Sequence, residues 1–287
     1  MRAKVASEMD QSHLSIITIN KNNGQGLLRT LKSIASQNCR TFEYIVIDGS
    51  SRDESVVAIE SHESLIDFWI SEPDSGVYEA MNKGIRQAHG DYLLFLNSGD
   101  WLVDDGVVGR LVKACEAGAD IYYADLRSSD GRDASVVRYP RSMDVDFFLQ
   151  GTISHQNSVI RKALLVDAGL YREDFRIASD WFFFLYAAYS QKALFKHIGE
   201  PFAAMSPGGM GNDPRFDAIK ADEYSKGVAD LFGPLAPSLL ALRAFRGSSY
   251  GYLIKTFGNT QLLQSGLKTY RFFARRMKCL QTNLKEP

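Results

Sequence analysis

Apolar and polar positions along the first hundred residues alternate between two periods. Leu14–Asn20 (LSIITIN) is a short apolar run ending in polar residues, the pattern of a buried strand. A helical spacing follows through Leu27, Leu28, Leu31, Ile34 and Ala35. Phe42–Asp48 (FEYIVID) predicts a second strand, running into a Gly49-Ser50-Ser51 turn and a helix carrying Val56, Val57 and Ile59. Leu65–Ile70 predicts a third strand, Val77–His89 a helix and Asp91–Asn97 a fourth strand. Strands alternating with helices imply βαβ units, hence an α/β fold with a mostly parallel central sheet and flanking helices. Polar residues fall at successive strand ends: Asn20, Asp48, Glu72 to Asp74, and Asn97 to Asp100. In an open α/β sheet that edge binds ligands.

The second half is more mixed. Ile121–Ala124 and Val136–Tyr139 predict strands around a polar turn at Ser128–Arg132, and Asn157–Arg161 predicts another. Ser179–Ser190 predicts an aromatic-rich helix, followed by late strands at Ala193–Ile198 and Phe202–Met205 and a flexible Pro207–Gly211. The Pro/Gly cluster at Gly233, Pro234 and Pro237 suggests a main α/β domain over 1–232 and a C-terminal helical extension over 233–287. Within the extension, Leu263, Leu267, Tyr270, Phe273, Met277, Leu280 and Leu284 form one helical stripe.

The composition of the 287 residues, 45% hydrophobic and 23% charged with a net charge of −1, is that of a globular protein. It excludes low-complexity disorder, a collagen-like fibre and a disulfide scaffold. Cys39, Cys115 and Cys279 are an odd number without CxxC spacing, which points to reduced thiols in a cytoplasmic setting. The longest apolar run, Trp181–Tyr189, is too short to span a bilayer, and no signal-peptide pattern opens the chain. Near-neutral charge argues against nucleic acid as a partner. The charge is unevenly spread, however. Nine Lys/Arg and one acid from Arg243 onward give the tail +8 and leave −9 on the body. Lys268, Arg271, Arg275 and Lys278 flank the apolar stripe, so the tail reads as an interfacial helix drawn to an anionic membrane surface. The alternative is packing on the body or on a second subunit of a homo-oligomer.

Several residues could carry chemistry. Asp48, at a strand end before a Gly-Ser-Ser turn, suits ribose hydroxyls or a base N–H, or else an Asx turn. In Asn97-Ser98-Gly99-Asp100 a carboxylate on a strand-end turn suits a divalent cation that clamps a diphosphate, or else a cap on the next helix. Asp180 precedes Trp181-Phe-Phe-Phe, where desolvation is expected to raise its pKa and make it a general base, the alternative being a helix N-terminal acid favoured by the dipole. His155 sits in Ser154-His155-Gln156, a polar trio before a strand. Neither GxGxxG nor GxxxxGK[ST] occurs, so dehydrogenase and P-loop sites are unsupported.

Taken in order, these motifs resemble the family 2 glycosyltransferases of the GT-A fold, over roughly residues 13–210. The second-strand signature, commonly VVDDGSxD, reads Val46-Ile-Asp-Gly-Ser-Ser-Arg-Asp53. Glu72-Pro-Asp-Ser-Gly-Val-Tyr-Glu-Ala-Met-Asn-Lys-Gly-Ile85 is similar to the EPDxGxYDAMNKGI stretch of bacterial polysaccharide-building members. Gly90–Asp100 matches the strand carrying the DxD-type metal motif, and Phe175–Phe183 the segment with the family's base. The resemblance implies that Asp48 contacts the nucleoside, with Thr18 and Asn20 lining the same pocket and Asp74, Lys83, Ser98 and Gly99 near the nucleotide. It implies Asp100 as the ligand of Mg²⁺ or Mn²⁺, Asp180 as the base, and His155 and Trp181 on the acceptor side or near the metal. Two departures stand out: Asn97 and Gly99 leave Asp100 as the metal motif's only carboxylate, and Gly49 replaces the signature's second Asp. The implied activity is inverting transfer of a sugar from a nucleotide-sugar donor, with UDP the commonest nucleotide, to a glycan or lipid-linked acceptor. The expected location is peripheral, at the inner face of the cell membrane. The rivals are a nucleotidyltransferase, and an inactive nucleotide-sugar-binding protein.

Overall fold

A computed structural model describes residues 14–129, 134–206 and 213–247. Seven strands form the main sheet: β1 (Leu14–Asn20), β2 (Glu43–Asp48), β3 (Phe68–Ser71), β4 (Tyr92–Phe95), β6 (Ile121–Tyr123), β9 (Ser158–Arg161) and β10 (Phe195–His197). Their order is β10-β6-β9-β4-β1-β2-β3, and all neighbours pair parallel except β9, which runs antiparallel between β4 and β6. The residues of β1 are buried throughout, because helices cover both faces of a central parallel strand. Helix α1 (Gly24–Ala35) turns Leu27, Leu31 and Ile34 inward, and its Asn23 cap accepts from the Gly26 N–H. After α2 (Ser55–Glu60), helix α3 (Val77–Gln87) buries Tyr78, Met81 and Ile85. Gly84 faces Ile17 so closely that a Cβ would meet its Cγ2 at 2.5 Å, which sets α3 tight on β1.

A second sheet has the order β5-β11-β7-β8, from β5 (Trp101–Leu102), β11 (Ala203–Met205), β7 (Leu126–Ser129) and β8 (Ala134–Val137). The expected hairpin between 121–124 and 136–139 is therefore corrected. Ile121–Tyr123 joins the main sheet, and β8 pairs instead with β7, which the alternation did not reveal. The expected helix from Ser179 is α7 (Ser179–Tyr186), extended by a π turn at Ala187–Gln191. Helices α4 (Val107–Cys115), α5 (Val145–Gln150) and α6 (Lys162–Asp167) complete this part. Cys39 and Cys115 are free thiols, and burial pushes that of Cys115 up to about 12.

The chain divides into two compact units between Gly227 and Val228, within helix α8 (Asp217–Phe232). The second unit's described part continues through a turn at Gly233–Leu235 into α9 (Ala236–Gly247). One helical stretch, Pro214–Gly247, is long and apolar enough to cross a membrane by length and composition alone. Pro207–Gly211 and the stripe from Leu263 to Leu284 lie outside the described residues.

Candidate active site

The carboxyl ends of β1, β2 and β4 meet at one edge of the main sheet. Asp48 closes β2, wholly buried, and four donors converge on it. Asn20 Nδ2 (2.7 Å) and Ser51 Oγ (2.6 Å) donate to Oδ1, while Ser71 Oγ (2.6 Å) and the Ser51 N–H (2.9 Å) donate to Oδ2. Burial works to raise its pKa, but the hydrogen bonds from Ser51, Ser71 and Asn20 outweigh it and hold the carboxyl below its usual value. Asp48 is thus a saturated anion that ties three strand ends together.

A second carboxylate stands beside it. A Cβ on Gly49 would lie 2.1 Å from Asp74 Oδ2, so glycine is what lets Asp74 approach this wall. Asp74 pairs with Lys21 Nζ at 3.2 Å, its own side chain 6% exposed and that of Lys21 52%. The replacement of the signature's second Asp by Gly49 therefore goes with a carboxylate from another loop in the same space.

The loop after β4 is held from below by Thr30, whose hydroxyl donates to the Asp100 carbonyl (2.7 Å) and accepts from the Gly99 N–H (3.0 Å). Gly99 turns the chain with φ of +101°, a conformation that suits glycine. Asp100 is buried, and its Oδ1 accepts from the Ser206 N–H at 3.3 Å. Burial pushes its carboxyl up to about 6; the Gln156 side chain and the nearby His155 only partly oppose this.

Asp180 lies in the first turn of α7. Its Oδ2 meets His155 Nδ1 at 2.8 Å, and its Oδ1 accepts from the Trp181 N–H (2.8 Å) and the Tyr78 hydroxyl (3.0 Å). The single Tyr78 O–H proton is shared with the Ile177 carbonyl at 2.6 Å. On the far side of the imidazole, Nε2 lies 3.0 Å from Asn97 Nδ2. With that amide donating, the ring carries its proton on Nδ1 and directs it at Asp180. Burial alone would raise the Asp180 pKa, as the sequence suggests. The bonds from His155, the Trp181 N–H and Tyr78 reverse this, so the carboxyl lies below its usual value and stays ionised.

A cleft of about 770 Å³ opens above this edge, lined by Asn20, Lys21, Asp74–Ala80, Asn97, Ser98 and the segment Glu173–Arg176. Tyr78 and Asn97 belong to its wall and bond directly to Asp180 and His155, whose side chains remain 16% and 14% exposed. Asn20 Oδ1 and Asn97 Oδ1 are buried without a hydrogen-bond partner among the described residues, leaving two acceptors in the wall residues.

Three expected site residues do other work. Thr18 is wholly buried below the cleft; its hydroxyl donates to the Leu96 carbonyl (2.8 Å) and accepts from Tyr44 (3.0 Å). Lys83 bends away to Glu72 (2.8 Å), Glu79 (3.1 Å) and the Pro73 carbonyl (2.8 Å), bracing the loop that carries Asp74. Trp181, 1% exposed, donates Nε1–H to the Phe148 carbonyl (2.7 Å) and packs on Tyr224, so it belongs to the core rather than the acceptor side. Conversely, Tyr78 and Gln156 join the site although the sequence singled out neither; a phenol in the first turn of a helix and a polar neighbour of His155 are the signals that mark them.

Among the described residues no group of three or more His, Cys, Asp or Glu could enclose a metal ion. The donor chemistry still fits a hard divalent cation shared with a diphosphate. Asp100 is a buried carboxylate held at a cost, which a cation would relieve, and Mg²⁺ accepts one or two carboxylates plus phosphate oxygens and water.

Residues 15–175, more than half of the chain, match the family model described as Glycosyl transferase family 2. An uncharacterized glycosyltransferase of Mycobacterium tuberculosis is 39% identical over 181 residues, which is 61% of this chain and 68% of that one. A PGL/p-HBAD biosynthesis glycosyltransferase of Mycobacterium bovis is 33% identical over 179 residues, 59% and 67% of the two chains. Among solved structures, the S. aureus TarS fragment 1–349 in complex with UDP has a TM-score of 0.63 at 18% identity, covering 88% of this chain and 76% of that one. The mannosyltransferase PcManGT from Pyrobaculum calidifontis, in complex with GDP-Man and Mn²⁺, has a TM-score of 0.61 at 14% identity, covering 91% and 80%. At these identities the likeness is one of fold.

Proposed function

The chain belongs to glycosyl transferase family 2 and has its GT-A fold, and on that premise we propose that it moves a sugar, with inversion, from a nucleotide-sugar donor to a hydroxyl of a glycan or lipid-linked acceptor. UDP is the nucleotide we infer, and a surface glycan or glycolipid the product; a relative named for glycolipid biosynthesis and a neighbour that binds UDP support both. The observation that carries the reading is the state of Asp180: ionised, aimed by His155 and Tyr78, and beside a cleft at the strand ends.

In this reading the donor lies along Asn20, Lys21, Asp74 and Ser98, with its diphosphate toward Asp100. Asp100 would hold Mg²⁺ or Mn²⁺, which when bound offsets the charge that builds on the leaving diphosphate. The acceptor hydroxyl approaches Asp180 and gives up its proton there while its oxygen attacks the anomeric carbon and the nucleoside diphosphate departs. Because the carboxyl lies below its usual value, it is a modest base, and the proton moves late, as the new C–O bond forms. His155 and Tyr78, on opposite oxygens, keep the carboxylate in place.

The test is nucleotide release from a panel of UDP- and GDP-sugars with Mn²⁺ and candidate acceptors. Asp180→Asn is expected to fold and bind donor while transfer falls by about 10²–10⁴-fold. Wild-type turnover in Asp180→Asn would remove the base assignment, and saturable donor binding without transfer in the native chain would favour a binding protein. The basic residues of the tail support contact with anionic lipid at the inner membrane face, where lipid-linked acceptors lie.

A further inference from the structure

Helix α7 carries Asp180 in its first turn but has no side-chain cap of its own; its N-cap position is Ala178. The N–H groups leading into it are taken up from another helix. Glu223, on α8 and only 6% exposed, accepts from the Arg176 N–H through Oε1, and from the Ile177 (3.0 Å) and Ala178 (2.8 Å) N–H groups through Oε2. One carboxylate therefore satisfies three successive backbone donors at the positive end of the helix dipole.

The anchored segment touches the reaction site at both ends. The Ile177 carbonyl accepts from the Tyr78 hydroxyl, which also bonds to Asp180 Oδ1. Arg176 lines the cleft, with its guanidinium 5.1 Å above the Phe216 ring. The approach of α8 is fixed by Gly227, one turn beyond Glu223, where a Cβ would meet Phe182 and Trp181 at 2.9 Å. Tyr224 packs on Trp181 with ring centroids 4.2 Å apart. Glu223 thus arrives on a helix locked to the residues that follow Asp180.

We propose that Glu223 is a positioning residue for Asp180, an acid supplied by α8 that caps α7 and holds Arg176–Ala178 so that the base and Arg176 face the cleft. The proposal rests on the reading of Asp180 as proton acceptor. It places part of the machinery beyond residues 15–175, which carry the family match.

The experiment uses the full chain with Glu223→Gln and Glu223→Asp. Two readouts are taken: hydrogen exchange of the 175–181 segment, and kcat and KM for donor with UDP-sugar and Mn²⁺. Glu223→Gln removes the charge and turns an N–H₂ toward backbone donors, so exchange there should rise by about tenfold or more. The kcat should fall by about tenfold or more while donor KM stays within about twofold, because the donor loops of β1 and β4 are untouched. Glu223→Asp keeps the charge on a shorter stem and should recover part of both losses; it also serves if Glu223→Gln does not fold. Unchanged exchange in Glu223→Gln, or raised exchange with unchanged kcat, would overturn the proposal. Exchange needs no substrate, so a wild-type chain without transferase activity would sink the reading of Asp180 and not the cap.

Discussion

Replacing Asp100 by Asn should make the protein more stable and less active, and the structure gives the size of the gain. Asp100 is 6% exposed, and burial moves its pKa from about 3.8 to about 6. Keeping it ionised in the fold therefore costs roughly 3 kcal/mol, at about 1.4 kcal/mol per unit. The folded pKa lies above the unfolded one, so the penalty is absent below about pH 4, where both states are protonated. It grows between pH 4 and 6 and is complete above. An Asn keeps one carbonyl oxygen for the Ser206 N–H or the Gln156 amide and loses the other acceptor, a cost of about 1 kcal/mol. The net expectation in chelator is a gain of about 2 kcal/mol at pH 7.5 that vanishes or reverses near pH 4. Urea unfolding at pH 4, 5, 6 and 7.5 measures it directly. Adding Mn²⁺ with UDP should then stabilise the native chain and not Asp100→Asn. An Asn variant less stable than the native chain at pH 7.5, or a difference independent of pH, would refute the reasoning.

Three further perturbations separate roles at the site. Gly49→Ala puts a methyl group 2.1 Å from Asp74 Oδ2 and must displace that carboxylate. Breaking its pair with the half-exposed Lys21 costs less than about 1 kcal/mol, so the melting temperature should barely move while donor KM rises by about tenfold; an unchanged KM would take Asp74 out of the donor site. Trp181→Phe leaves the Phe148 carbonyl without its donor and should lower stability by about 1–3 kcal/mol, with kcat and acceptor KM falling or rising together only as far as folding does. A selective rise in acceptor KM would restore Trp181 to the acceptor side. Changing Lys268, Arg271, Arg275 and Lys278 to Gln should abolish co-sedimentation with anionic vesicles, each charge contributing about 1 kcal/mol; equal binding by the native and substituted chains would exclude the tail.

How much of this was legible in the sequence depends on how local its cause is. The strands ending at Asn20 and Asp48 and the helix from Val77 follow from periodicity within one segment, and the structure has them at nearly those bounds. β5, with two residues, is too short to carry a period, and three of the four residues of β7 are polar, so only β8 and β11 of the second sheet left a pattern to read. Thr18 and Lys83 show a related effect. A residue type inside a strand such as β1 or a helix such as α3 says that polar atoms are near a ligand edge, not which of them face it. Thr18 is claimed by Leu96 and Tyr44 and Lys83 by Glu72 and Glu79, partners contributed by other turns of the fold. The grouping of Asp48, Asp100, His155 and Asp180 was readable because their motifs carried it in order. Glu223 had no such motif.

The carboxylates Asp48, Asp100 and Asp180 show what side-chain context adds to burial. Desolvation pushes all of them the same way, toward a raised pKa, and on that ground alone Asp180 looked like a base tuned upward. The outcome is decided by the donors each can gather. Asp48 collects Asn20, Ser51 and Ser71, and becomes a fixed anion with no lone pair to spare for catalysis. Asp180 collects His155, Tyr78 and a backbone N–H, which suffices to keep it charged while its side chain stays partly open. Asp100 gathers too few, and is the one left with its pKa raised. In the proposed reading, a proton acceptor and a cation ligand call for two carboxylates in opposite states. Here the difference follows the donors: His155, Tyr78 and the Trp181 N–H bond Asp180 directly, whereas His155 only lies near Asp100. The anion that is satisfied can wait for a hydroxyl, and the one that is not gains most from a metal and a diphosphate.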